Sequence, residues 1–337
     1  MRGLGVSGIL KLKADGVEKW DSGLLVFLFG LEQACRESGI TLETGGLPEG
    51  IRRILALAAR GRQAAGESAH TGPESFRSRW RKRLVTFRDE SAETLGFVGE
   101  CLSASGQLLR GQARMRGSDL MALIAECGPG SLPIVGLIAF LVGMILAFVG
   151  ALQLSPFGAQ IYVANLVGLG MAREMGGMMT ALIMTGRIGA SYAARLGTMQ
   201  VNEEIDAFST LGLQPVAFLA LPRLLALFIT MPFLCLFADF LGMLGGAVVG
   251  IAFLDLETHQ YLMQTREAVG LKDLGAGLVK AAIFGLLVGL AGCRKGLSCG
   301  RSASAVGDAA TGAVVTGIVY IVLSDSLLTM IYSRLGW

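Results

Sequence analysis

The sequence predicts a mainly α-helical, polytopic membrane protein of about five transmembrane helices, preceded by a small α/β head. Three observations carry this. Of the 337 residues 53% are hydrophobic and only 16% charged, a balance that soluble domains rarely show. The charges are uneven: Arg and Glu crowd the chain before Leu120, and long apolar runs dominate after it. Two of those runs flank a short polar stretch, Val201 to Gly212, with clear helix punctuation. A net charge of +3 is too small to argue for a nucleic-acid partner.

The head occupies residues 1–60. SGILKLKA reads as a short strand, and Asp21-Ser22 can cap an apolar helix from Leu24 to Cys35. Gly39 stops that helix, Ile40 to Thr44 alternates like a strand, and Pro48 to Ala58 reads as a second helix. The first residues contain no apolar core of signal-peptide length, so the head is expected to stay in the cytoplasm. Residues 61–83 are rich in Gly, Ser and Arg and are assigned as linker. The basic cluster Arg77 to Arg83 could be read as a nucleic-acid patch; beside apolar spans it reads better as charge facing anionic lipid. Residues 84–112 mix apolar and charged positions, which suits an amphipathic helix lying in the membrane interface.

Leu132 to Leu152 is the first expected span and Met175 to Ala194, with Arg187 as its only charge, the second. The stretch between them is too apolar for a solvated loop and is expected to form a short, partly buried helix. Leu224 to about Phe253 with Asp239, Leu274 to Cys293 with Lys280, and Ala309 to Ile331 with Asp325 complete the set. Arg294, Lys295 and Arg301 on one side, against neutral or acidic connections on the other, place the C-terminus in the periplasm.

Between spans two and three, Asn202 is a candidate N-cap, with Glu203 and Glu204 in the first turn where carboxylates suit exposed N–H groups. Gly212 can end the helix in the left-handed conformation, and Pro215 forbids continuation. Ile205, Phe208 and Leu211 fall on one stripe, leaving Asp206 off it. Such a helix is either a handle for a soluble partner or an ordinary polar loop. Charges within or near the membrane, Glu174, Arg187, Asp239, Lys280 and Asp325, should face protein or a wet cavity, with snorkelling or quiet pairing the plainer expectation for Glu174, Lys280 and Arg187.

No phosphate-cradling loop is present, since GLAGCRKGLS lacks the required glycine before its lysine. No catalytic constellation or metal-ligand spacing stands out, and the six cysteines read as small apolar fillers. Gly242, Gly246 and Gly250, like Gly285 and Gly289, recur every four residues, which suits either packing within the chain or a dimer contact.

Two resemblances sharpen this. Asp21-Ser22-Gly23-Leu24-Leu25 resembles the D-[ST]-x-x-L turn of STAS domains, and the head resembles the second half of such a domain. Residues 85 to 337 resemble the MlaE-type permeases of ABC lipid transporters. The matching residues are Arg173-Glu174, Gly186 to Ala190, Leu196 to Met199, Glu203, Ile205 to Ala207, Leu211-Gly212, Pro215 and Pro222-Arg223. Gly307, Ala309 to Thr311, Ala313 to Val315, Asp325 and Leu328-Thr329 extend the match. Cys293-Arg294 departs from the usual Cys-Tyr.

The second resemblance implies a homodimer in the bacterial inner membrane, with a separate ABC ATPase carrying ATP and Mg, and no cofactor on this chain. A periplasmic MCE-domain protein would exchange phospholipid, maintaining outer-membrane lipid asymmetry. Asn202, Glu203, Glu204, Ile205, Asp206, Phe208 and Leu211 would lie on the coupling helix. Leu154, Phe157 and the fifth span would contact lipid near the outer end. The rival reading is an ion- or proton-coupled secondary transporter using Asp239 and Asp325; a membrane sensor signalling through its head is a third.

Overall fold

A computed structural model describes residues 9–13, 22–37, 41–48, 50–51, 53–54, 76–110 and 117–335. The chain divides into two compact units, Met1–Phe87 and Arg88–Trp337. In the first, β1 (Ile9–Lys13) and β2 (Thr41–Gly46) pair in parallel, with Ile9 opposite Thr41 and Leu10 opposite Leu42. Parallel neighbours need a crossover, and α1 (Ser22–Glu37) supplies it. Leu28, Leu47 and Ile51 form a small core, flanked by Leu12, Leu24 and Phe29. Ser22 is the first residue of α1, and Asp21 lies outside the described residues. Of the expected second helix, Gly50, Ile51, Arg53 and Ile54 are helical, and the rest lies outside them.

α2 (Phe76–Leu109) begins earlier than composition suggested. Phe76 to Arg83, assigned to the linker, already belong to it, because a run rich in Arg and Lys without Gly or Pro favours helix. Its second half is amphipathic as expected: Phe97, Cys101 and Ala104 are buried on one face, while Leu95 and Leu102 are exposed.

In the second unit α3 (Gly117–Cys127) passes through a 3₁₀ turn, Pro129–Ser131, into α4 (Leu132–Leu154). From Val163 to Val201 the backbone is one helical column in three α segments, α5 (Val163–Gly170), α6 (Gly176–Met184) and α7 (Ala190–Val201). π turns at Met171–Met175 and Thr185–Gly189 join them. A short helix, α8 (Glu204–Thr210), follows, then a third π turn, Val216–Ala220, and α9 (Leu221–Ala252). α10 (Thr258–Ala268), α11 (Leu271–Leu297) and α12 (Ala303–Leu335) complete the chain.

Among the described residues, four helical stretches are long and apolar enough to cross a membrane: Gly117–Phe157, Val216–Ala252, Leu271–Leu297 and Ala303–Leu335. They contain the first, third, fourth and fifth expected spans. The second expected span is the interrupted column, and its register differs from the expectation. The column runs antiparallel to α4: Gly150 abuts Leu166 near one end, while Arg187 binds Gly130 and Ser131 at the other. The part alongside α4 is therefore Val163 to about Arg187, shifted toward the N-terminus from Met175–Ala194. From Ile161 to Met171 only Asn165 interrupts the apolar run, so hydropathy alone could not fix that register. The expected buried helix before span two is α5, whose Val163, Ala164 and Val167 are buried. Below, the end of the bundle bearing α8 is called proximal and the end bearing Leu154 distal.

The main core lies between the column, α9 and α11, around Met184, Tyr192, Leu227, Met231, Phe284 and Val288. Glycines set its spacing: a Cβ on Gly143 would overlap the carbonyl oxygen of Gly242, and one on Gly277 that of Ala172. The recurrent glycines of α9 serve packing within the chain, Gly242 against Met171, Gly246 against Val167 and Gly250 against Tyr261. All six cysteines are buried and free. In α2, burial pushes the Cys101 thiol up to about 11, so it stays a neutral filler.

Candidate functional site

The first π turn carries Arg173 and Glu174. A π turn inserts one residue into the helical register, and such bulges recur at functional sites. On α11, Lys280 follows Gly277 by three residues and precedes Phe284 by four, on the stripe that packs inward. It is only 2% exposed, so of the two expectations for it, snorkelling and pairing, the structure shows pairing. Its Nζ donates to Glu174 Oε2 at 2.5 Å and to Thr329 Oγ1 at 2.7 Å. Asp325 Oδ1 lies 3.0 Å away without a directed hydrogen bond, so that contact is Coulombic. The Tyr332 ring stands 5.8 Å from the ammonium. Arg173 pairs with Asp273 at 2.9 Å, and Asp273 also accepts from the Gly270 N–H at the start of α11.

The sequence placed charges at Glu174, Asp239 and Asp325 but did not show that Lys280 would join two of them. The available signals were Lys280 on a small-residue stripe and Thr329 one turn after Asp325. Arg173 entered only as part of the family resemblance, and its pairing with Asp273 was not visible. Asp239 sits apart, against the same π turn. Gly176 leaves the space that its carboxyl occupies, and a Cβ there would overlap Asp239 Oδ1. Asp239 is 2% exposed, its Oδ2 lies 3.7 Å from Cys235 Sγ, and Oδ1 has no hydrogen-bond partner among the described residues. Arg187 belongs to neither group: it is exposed and clips the second π turn to the Gly130–Ser131 joint.

A groove of about 880 Å³ opens beside the first π turn at the distal end. Leu146, Val149, Leu154, Leu166 and Leu169 give it apolar walls, and Gln153, Asn165, Arg173 and Glu174 supply its polar groups. Leu154 thus lines the groove as a lipid contact would; Phe157 is 82% exposed and is not part of the lining. α12 leaves Val315, Val322, Leu323, Leu327 and Met330 exposed along its length.

At the proximal end the α8 corner differs in detail from the expectation. Asn202 does not cap α8; it ends α7, and its Nδ2 donates to Glu204 Oε1 at 3.3 Å. Glu203 takes the turn instead, in the left-handed region at φ 60°, with no side-chain cap. A cap needs an extended backbone ahead of the helix, and here α7 runs to the corner itself. The C-terminus behaves as expected: Gly212 is left-handed, its N–H bonds Ser209 O at 3.1 Å, and the Leu213 N–H bonds Phe208 O at 3.0 Å. Ile205 is buried, and Phe208 packs on Phe218 with ring centroids 5.4 Å apart. Leu211 leaves the stripe because it already sits past the last helical residue, and it is 74% exposed. Arg301, read from sequence only as an orienting charge, pairs with Asp206 at 2.9 Å and Glu203 at 3.7 Å, so these carboxylates already have a partner in this chain.

Residues 120–331 match the family described as Permease MlaE. The chain is 39% identical to a protein of Rickettsia typhi named "Probable ABC transporter permease protein", over 63% of this chain and 82% of that one. A Synechocystis protein with the same description is 31% identical over 65% of this chain and 83% of its own. The Arabidopsis thaliana protein named "TRIGALACTOSYLDIACYLGLYCEROL 1, chloroplastic" is 27% identical over 67% and 64%.

Proposed function

Because the chain belongs to the MlaE permease family, and is thus an ABC transporter permease subunit and not an enzyme, we propose that it moves phospholipid between the inner and outer membranes, sustaining outer-membrane lipid asymmetry. The observation that carries this reading is the distal groove, apolar along its walls with charged groups at one end, the profile of a two-chain amphiphile. The Arabidopsis relative carries the name of a lipid, which agrees with that cargo.

In this reading two copies form a homodimer in the bacterial inner membrane, and a periplasmic MCE-domain protein exchanges lipid at the distal end. ATP and Mg bind a partner ATPase, which pushes on α8. Ile205 and Phe208 seat α8 on the membrane body, while Glu204 and Leu211 face outward for the partner. The N-terminal unit is a cytoplasmic STAS-like head.

Purification in mild detergent, followed by lipid extraction and mass spectrometry, tests the cargo. Two-chain lipid retained with the protein and depleted by Leu166→Arg in the groove is the expected result; retention unchanged by that variant overturns it. Reconstitution with the ATPase in vesicles should give ATP-dependent lipid transfer.

A further inference from the structure

The groove and the charge cluster beside it are mismatched in a way that selects a headgroup. Among the described residues Arg173 pairs with Asp273, and Lys280 faces both Glu174 and Asp325, two cations against three carboxylates. The surplus is one negative charge, held around an ammonium that is 2% exposed. In an apolar surrounding such a charge demands a counter-charge far more strongly than in water. The hydrogen-bond account leans the same way. Asn165 Oδ1, on the groove wall, is a buried acceptor with no hydrogen-bond partner among the described residues, and Asp325 Oδ1 has only the Lys280 ammonium, 3.0 Å away. Glu174 connects the two places, since it belongs to the cluster and also lines the groove, with its side chain 32% exposed. The site is rich in acceptors and short of one cation.

We infer that the groove prefers a phospholipid whose headgroup carries a primary ammonium, the ammonium resting against Glu174 as the second cation of the Glu174–Lys280–Asp325 cluster. This rests on the reading of the groove as a lipid site and adds its selectivity. A primary ammonium brings both the missing charge and N–H donors. A choline headgroup brings the charge without a donor, and a glycerol headgroup brings donors with no cation.

The test uses the full chain in detergent, exposed to mixed vesicles holding equal parts of ethanolamine, choline and glycerol phospholipids with identical acyl chains. Retained lipid is read by native mass spectrometry. A charge-assisted hydrogen bond in a low-dielectric site should favour the ethanolamine lipid about tenfold over each of the others. Asp325→Asn keeps shape and removes the surplus charge, so it should still retain lipid with the preference reduced to near unity. Glu174→Gln should do the same and stands in if the first variant does not fold. Equal retention of the three lipids by the wild type overturns the headgroup inference and leaves the lipid site standing. Retention of no lipid overturns both. A preference that survives both variants also overturns the inference.

Discussion

The two ends of the membrane body hold charge clusters of one composition and opposite setting. At the α8 corner Arg301 faces Glu203 and Asp206; within the bundle Lys280 faces Glu174 and Asp325. Each cluster is one cation against two carboxylates. Arg301 is 64% exposed and Lys280 only 2%. Water screens the first, which leaves such pairs worth about 0–1 kcal/mol. In the second the ammonium is shielded and only Glu174 reaches the groove, so its geometry must be kept, and its imbalance is screened far less. Burial and not composition decides which cluster can govern a ligand.

The largest effect should follow from removing the buried cation. Lys280→Ala leaves two carboxylates together in the apolar core and should cost about 3–5 kcal/mol, read as a lowered thermal unfolding midpoint in detergent. Replacing the cluster together, with Lys280→Met, Glu174→Gln and Asp325→Asn, should recover most of that loss. A Lys280→Ala midpoint equal to wild type would mean that the cluster is wetter than its burial indicates.

Next comes Gly277→Ala. The new methyl must displace the Ala172 carbonyl, which directly precedes the Arg173–Glu174 pair, and the overpacking should cost about 1–3 kcal/mol. Cysteine crosslinking between the first π turn and α11 should detect the separation.

At the exposed corner the sign reverses. Glu203 holds a left-handed backbone that costs a non-glycine residue about 1–2 kcal/mol, more than its exposed pairing to Arg301 returns. Glu203→Gly should therefore raise stability by up to about 1 kcal/mol. A lowered midpoint would make the Arg301 pairing stronger than exposure allows.

The smallest effect belongs to Arg301→Ala, within about 1 kcal/mol of wild type and fading at 1 M salt, where charges are screened beyond about 3 Å. If both Arg301→Ala and Lys280→Ala respond to salt alike, the contrast between the two ends fails.

What could be read from the sequence follows the same division. The C-terminal end of α8 was legible because Gly212 and Pro215 act locally. Its N-terminal end was not, because an Asn beside two Glu leaves open which residue turns the corner, and the length of α7 decided it. Span limits were legible where Gly and Pro bounded an apolar run, as at both ends of α4, and shifted where only Asn165 interrupted it, as before Met171. Glu174, Asp239 and Asp325 were visible as costly charges. Their partners were not, because Lys280 and Thr329 stand about a hundred residues or more from Glu174 and meet it only once the glycines of α11 have let that helix approach the column. Arg301 was visible as a charge, but its pairing with α8 was not, because about ninety-five residues separate it from Asp206.

The π turns make the column a record of two insertions. Each adds one residue without interrupting the run of backbone hydrogen bonds, and each residue turns a helix by about 100°. Deleting one residue from Met171–Met175 would thus restore plain α register and leave the helix intact. Val163 and Arg187 would keep their places, because the wide turn already absorbs the extra residue. Deleting one residue from α6, which has no such slack, would instead rotate everything toward the proximal end by that angle and take Arg187 off Gly130, so the column tolerates a lost residue at its π turns and not between them.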